Sequence, residues 1–234
     1  MRRTLVIAAI TLGIAVSALA QTKQSGSYFG FRTAIGLQNV DPWTAQDANE
    51  GWTMPAASGW YGGSYYQILD KVSKMERDTD SRSVFAAKVL RQLSREARQV
   101  DAALMHVERS ADKSHGDLSI LTIQTLLGYE AFPAFAALKE PFWIRWGQHL
   151  LSTTNGAHDV TLIRHREDLI IRGNQVGAAG FKITAADSSK RYRGLILIYR
   201  SAGITVINLD APWHVADSRL EETWTMVRAI EFRK

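Results

Sequence analysis

The sequence predicts an α+β domain: an antiparallel sheet of hairpins in the C-terminal half, covered by a long helix from the N-terminal half and by a C-terminal helix. Three observations carry this prediction. Arg191 to Leu209, RYRGLILIYRSAGITVINL, reads as two strands folded back at Ser201-Ala202-Gly203, a three-residue loop closed by a left-handed glycine. Leu195 to Tyr199 is apolar on both faces, so helices must cover its sheet on each side. Ala86, Leu90, Leu93, Ala97, Val100, Leu104 and Val107 recur alternately four and three apart, which predicts a helix over Asp80 to Arg109.

The N-terminus carries an export signal. Met1-Arg2-Arg3 precedes an uncharged run from Leu5 to Val16 that is too short to span a bilayer, and Ala18-Leu19-Ala20 supplies an A-x-A site before Gln21. Only one residue precedes the arginine pair and Thr4-Leu5-Val6 continues it poorly, which favours general secretion over a twin-arginine route. Cleavage after Ala20 removes 20 residues, two of them arginine, leaving 214 residues and lowering the net charge from +5 to +3. Such a chain is expected to be soluble and periplasmic or secreted, with no transmembrane segment, and its mild charge argues against a nucleic-acid partner. The absence of cysteine excludes disulfides, thiolate metal sites, cysteine nucleophiles and lipoprotein attachment.

Residues 21–79 read as an irregular arm. Nine aromatic residues and seven glycines fall between Ser25 and Tyr66 with no helical or strand period. Trp43, Trp52 and Trp60 are therefore either a stacking platform for a flat ligand such as a sugar or rings that the arm buries as it wraps the domain. The remainder, 80–234, reads as one domain, helical over 80–155 and sheet plus helix over 156–234. Asp78 to Ser81 offer caps to the long helix, Ser110 to Asp117 form a polar loop, and Leu118 to Leu127 suggest a second helix. Pro141 suits the first turn of a helix from Phe142 to about Ser152, stopped by Asn155-Gly156. Asp159 to Arg164 and Leu169 to Gly173 read as a hairpin around the tip His165 to Asp168. Gly173 to Gly180 reads as a mobile loop, Phe181 to Ala185 as a strand, and Asp187 to Lys190 as a turn. Asp210-Ala211-Pro212 breaks the sheet, and Ser218 to Glu221 forms a capping box for a helix presenting Leu220, Trp224, Val227 and Ile230.

A sheet of hairpins followed by one helix running to about Phe232 resembles the PsbP-type sandwich over roughly the last 75 residues. The resemblance is topological and no signature motif of that family stands in the sequence. It implies a non-enzymatic scaffold for binding partners.

No catalytic or metal-binding constellation is legible, and no cofactor is implied. The six histidines show none of the H-x-H, H-x-x-x-H or H-E-x-x-H spacings that put two ligands on one face. Ser110-Ala-Asp-Lys113 matches S-x-x-K, but neither S-D-N nor K-T-G accompanies it, and G-x-S-x-G is absent. Gly173, Gly177 and Gly180 lack the G-K-[ST] of a phosphate loop. What stands out is charge: eight Lys or Arg face four acids between Asp159 and Arg200, with Arg164, Arg166, Arg172, Arg191 and Arg193 as candidate partner-binding residues beside Trp43, Trp52 and Trp60. The expectation is an exported, non-catalytic binding protein of the cell envelope whose partner is a protein, a lipid or a glycan, an inhibitor or immunity role being one version. The alternative is an envelope hydrolase whose site is assembled only by folding. Mass spectrometry of the exported protein should find a chain beginning at Gln21, and a membrane-bound form retaining residues 1–20 would overturn the export reading.

Overall fold

The computed structural model describes residues 44–47, 52–64, 67–69, 73, 77, 100–109, 116–127, 134–201 and 203–232. Its strands are β1 (Thr44–Asp47), β2 (Trp52–Pro55), β3 (Tyr61–Gly63), β4 (Ala102–Arg109), β5 (Gly116–Leu127), β6 (Ala157–Ile171), β7 (Asn174–Ala185), β8 (Lys190–Arg200), β9 (Gly203–Pro212) and β10 (Glu231–Phe232). Two longer helices accompany them, α1 (Glu140–Thr153) before β6 and α2 (Ala216–Arg228) after β9. The main sheet has seven antiparallel strands in the order β3-β4-β5-β9-β8-β7-β6, and a small sheet has the order β1-β2-β10. The α+β class is as predicted.

Strand β8 is the centre of the packing. Ile196 and Ile198 enter one core with Leu209, Met226 and Val227, while Leu195, Leu197 and Tyr199 enter the other with Trp143, Leu150 and Phe181. Helix α2 and the small sheet cover the first face, and α1 covers the second over β6 to β8. Each helix earns its position by a stripe. Trp143, Trp146, Gly147 and Leu150 repeat at helical spacing on α1, and Ala216, Thr223, Met226 and Val227 do so on α2, with Leu220 and Trp224 half-buried alongside. Pro141 lies in the first turn of α1, and Gly156 takes a φ of 76° just beyond its end, both as expected.

Several expectations are corrected. The predicted long helix ends as a strand: Ala102–Arg109 pairs with β5 residue by residue, and the remainder of Asp80 to Arg109 lies outside the described residues except for Val100 and Asp101. Ala102 and Leu104 face the α2 core, while Ala103 and Met105, also buried, face away from it, and a strand buried on both faces shows no period of two. For the same reason Leu118 to Leu127 is strand, not helix: β5 lies between β4 and β9. Asp117 belongs to that strand, whereas Ser110 to Lys113 lies outside the described residues.

The predicted tip His165 to Asp168 is part of an unbroken β6, whose register shifts by a residue at three points. The chain reverses instead at Arg172-Gly173, both at positive φ (50° and 78°), the two-residue turn whose twist matches that of the strands. Gly173 to Gly180 is accordingly no loop, since from Asn174 onward it is strand, hydrogen-bonded on both sides. The β8–β9 loop is one residue shorter than predicted, because Gly203 already pairs with Arg200. Asp210 to Pro212 remain paired with β8, so the sheet breaks only after Pro212. Helix α2 begins at Ala216 without a side-chain cap, ahead of the predicted capping box, and ends at Arg228 so that Glu231 and Phe232 can pair with β2.

Because β8 serves two cores, we expect Ile198→Asp and Leu197→Asp each to prevent folding. An unpaired charge on either face costs several kcal/mol out of the roughly 5–15 kcal/mol that holds a domain. Secretion yield and circular dichroism decide it, and normal melting of either variant would mean that its face is open to water.

Candidate functional site

A cleft of about 730 Å³ opens between α2 and the sheet face formed by β6, β7, β8 and β9. Its origin is a shortage of side-chain volume. Ala178 on β7 stands where a larger residue would fill the gap between strand and helix, and Gly180 on β7 pairs directly with Gly194 on β8. Tyr192 lies across these glycines. A Cβ on Gly180 would come within 2.3 Å of the Tyr192 hydroxyl, and one on Gly194 within 3.1 Å of its ring. Both positions therefore need glycine for close approach. Ile196 and Leu209 complete the floor, and Leu220 and Trp224 form the helical wall.

The mouth is charged. Arg164 and Arg166, one strand period apart on β6, face the cleft opposite Gly180 and Ala178, and Asp217, Glu221 and Arg228 project from α2. Arg164 reaches Asp217 at 3.3 Å, a pair whose acid is almost fully exposed. Arg166 is held more firmly, by two bonds of 3.0 and 2.9 Å to Asp168 on its own strand, and this guanidinium keeps the Asp168 carboxyl below its usual range. Burial pushes the Tyr192 phenol up against the opposing pull of Arg164, so it stays a neutral donor at physiological pH. The Thr223 hydroxyl donates back to the Arg219 carbonyl at 2.7 Å.

Of the residues singled out from sequence, only Arg164 and Arg166 meet here. Arg172 sits at the β6–β7 turn, where its Nε donates to the Ile230 carbonyl at 3.3 Å. Arg191 and Arg193, also candidates for partner binding, are not exposed. Both lie on the opposite sheet face, nearly buried, and clasp Asp210, Arg191 Nε to Oδ1 at 2.6 Å and an Arg193 Nη to Oδ2 at 2.7 Å. The cause is position: β8 is an interior strand, so its charges are covered with it. Trp52 and Trp60 are core residues, the Trp60 indole donating to Glu222 at 2.7 Å, and Trp43 lies outside the described residues. Tyr192, Arg228 and the Gly180–Gly194 pair were missed, although glycine inside a strand is itself a signal of close approach, and Trp224 was read only as a packing residue of the C-terminal helix.

The solution structure of cyanobacterial PsbP (CyanoP) from Synechocystis sp. PCC 6803 superposes with a TM-score of 0.51 at 10% identity, covering 83% of this chain and 94% of that one. The chain resembles PsbP in fold. The likeness reaches well beyond the last 75 residues that suggested it. Two other structures share less: a Pseudomonas aeruginosa protein of unknown function (TM-score 0.37, 5% identity, 56% of this chain and 83% of that one), and LpqN, involved in cell envelope biogenesis of Mycobacterium tuberculosis (TM-score 0.38, 10% identity, 89% and 100%). No protein-family model and no curated protein matches the sequence.

Two further chemical features stand out. His165 Nδ1 meets Glu167 Oε1 at 2.7 Å, and that same oxygen accepts the Trp143 indole at 2.8 Å, which ties the pair to α1 on the other sheet face. No group of three or more metal-ligating side chains occurs among the described residues. The Asp210 cluster yields a prediction of stability. Burial alone would raise the Asp210 pKa, but Arg191 and Arg193 outweigh it and hold the carboxyl below its usual value. A folded-state pKa depressed in this way contributes stability that is complete above about pH 4 and lost as pH falls through the lower folded value. Asp210→Ala should therefore cost about 3–5 kcal/mol at neutral pH by leaving two buried guanidiniums without their shared anion. Urea unfolding at pH 7 and at pH 3 tests it: the difference between the variant and the parent protein should narrow in acid, and a pH-independent difference would contradict the assignment.

Proposed function

We propose that this is an exported, non-catalytic binding protein of the cell envelope, and that it holds a small envelope component in the cleft between α2 and the main sheet. The cleft is the observation that carries the reading. A space of about 730 Å³ lies within the range typical of small-molecule sites, and an apolar floor with a few charged groups at its rim is how such sites combine affinity with orientation. The small residue at position 178 supports the same reading. A sheet face packed only for stability would place a larger side chain there, because an unfilled gap forfeits dispersion contacts. Export is supported by the basic start, short apolar core and A-x-A site at the N-terminus, and no helix among the described residues is long and apolar enough to cross a membrane.

Nothing in the cleft favours the hydrolase alternative. The Thr223 hydroxyl is held by a backbone carbonyl, and the Glu167 partner of His165 is tied to the far side of the sheet by the Trp143 indole. To test the reading, the mature protein and the variants Ala178→Phe and Leu220→Trp are purified from envelope fractions and extracted with organic solvent under denaturing conditions. The parent protein should release a bound small molecule that both variants lack at nearly unchanged melting temperature. Equal recovery from parent and variants would remove the cleft as the binding site.

A further inference from the structure

We infer that the ligand of this cleft is an anionic amphiphile, a single acyl chain ending in a carboxylate, with the chain along the sheet floor and the head between Arg164 and Arg228. The inference rests on the cleft being the binding site. The depth is apolar: Ala178, Ile196 and Leu209 below, Leu220 and Trp224 at the side. Such walls select a chain by excluding water, with affinity rising roughly fourfold for each methylene they cover.

The head is chosen by what the mouth leaves available. Arg166 is already engaged bidentately by Asp168 through two hydrogen bonds. Arg164 is not, for its one carboxylate contact is 3.3 Å long and reaches a side chain that is 98% exposed. Exposed pairs of this kind contribute little, so an entering anion displaces Asp217 at small cost. Arg228 makes no ion pair among the described residues and lines the same mouth from α2. Two acids, Asp217 and Glu221, also line it, but the more deeply set charge is the cation: the Arg164 side chain is 52% exposed against 98% for Asp217, and it lies beside the buried Tyr192 hydroxyl. A carboxylate arriving there meets a guanidinium fork and a neutral phenolic donor, a set complementary to two acceptor oxygens. A cationic head would have to give up Arg164 as a neighbour and sit in water beside Asp217.

Calorimetric titration of the purified mature protein with decanoate, decanol and acetate separates the contributions. Decanoate should bind, hexanoate more weakly at roughly fourfold per methylene, and decanol and acetate far more weakly than decanoate. Arg164→Glu should weaken decanoate about tenfold or more, and Asp217→Asn should leave it equal or tighter. Decanol binding as well as decanoate, or indifference to Arg164→Glu, would overturn the anionic head while leaving the cleft as a site, provided that Ala178→Phe still blocks binding. If neither amphiphile binds, this inference fails. The broader reading then survives only if the ligand carried by the native protein is still lost in Ala178→Phe.

Discussion

Burial of β8 on both faces is the constraint from which the remaining structure follows. A strand with isoleucines on one side and leucines with tyrosine on the other cannot lie at a sheet surface, so each face must carry its own layer. The chain supplies one layer from before the hairpin strands, α1, and one from after them, α2, and the order helix, hairpins, helix fits this need with short connections. The small sheet finishes the second layer. Phe232 and Glu231 return to pair with Trp52 and Thr53, so Trp52 and Met54 close the α2 core from outside, and the aromatic N-terminal segment contributes as packing at these residues.

The two layers are not packed alike, and the difference produces the cleft. On the α1 side, Leu138 lies against Gly177 and the Phe181 ring against Gly147, so each glycine there is filled by a neighbour's side chain. On the α2 side, only Tyr192 lies over the paired Gly180 and Gly194, and the space beyond its ring stays open. Gly177 and Gly180, in one strand, thus each admit a neighbour's side chain, and what differs is the space left beyond it, a property of the fold and not of the segment Gly173 to Gly180.

That distinction explains what was legible in advance. The β8–β9 hairpin, α1 with its proline start, the stripe Leu220, Trp224, Val227 and Ile230, and the α+β class all rest on local patterns, and each was readable. β4 and β5 were not, because buried apolar residues on both faces of a strand imitate a helical stripe when the spacing happens to alternate between three and four. Residues 165–168 looked like a turn by polarity, yet they lie on an edge strand, where one side faces water and charges act against pairing with further strands. Of the cleft's rim, Arg164 and Arg166 came through as candidates. Tyr192 with its two glycines and Arg228 are contributed by other elements and join the cleft only when β6 to β9 and α2 are brought together.

The basic residues show most directly how topology divides charge between structure and function. Arg164 and Arg166, and likewise Arg191 and Arg193, are arginines two positions apart in a strand, and alternation directs each pair to one face. In sequence the pairs are equivalent. In the sheet, β6 is an edge and β8 is interior. The interior pair is therefore desolvated, and a desolvated guanidinium needs a fixed anion; Asp210, opposite Arg193 in the register, provides one for both. The edge pair keeps water as an alternative partner, so its ion pairs are weak and exchangeable. Exchangeable charge can be lent to a ligand, whereas charge locked by burial cannot be withdrawn without loss of the fold. The exchangeable charge of the basic stretch accordingly resides at the sheet edge beside the cleft, and the arginines nearest the centre of the domain belong to its stability.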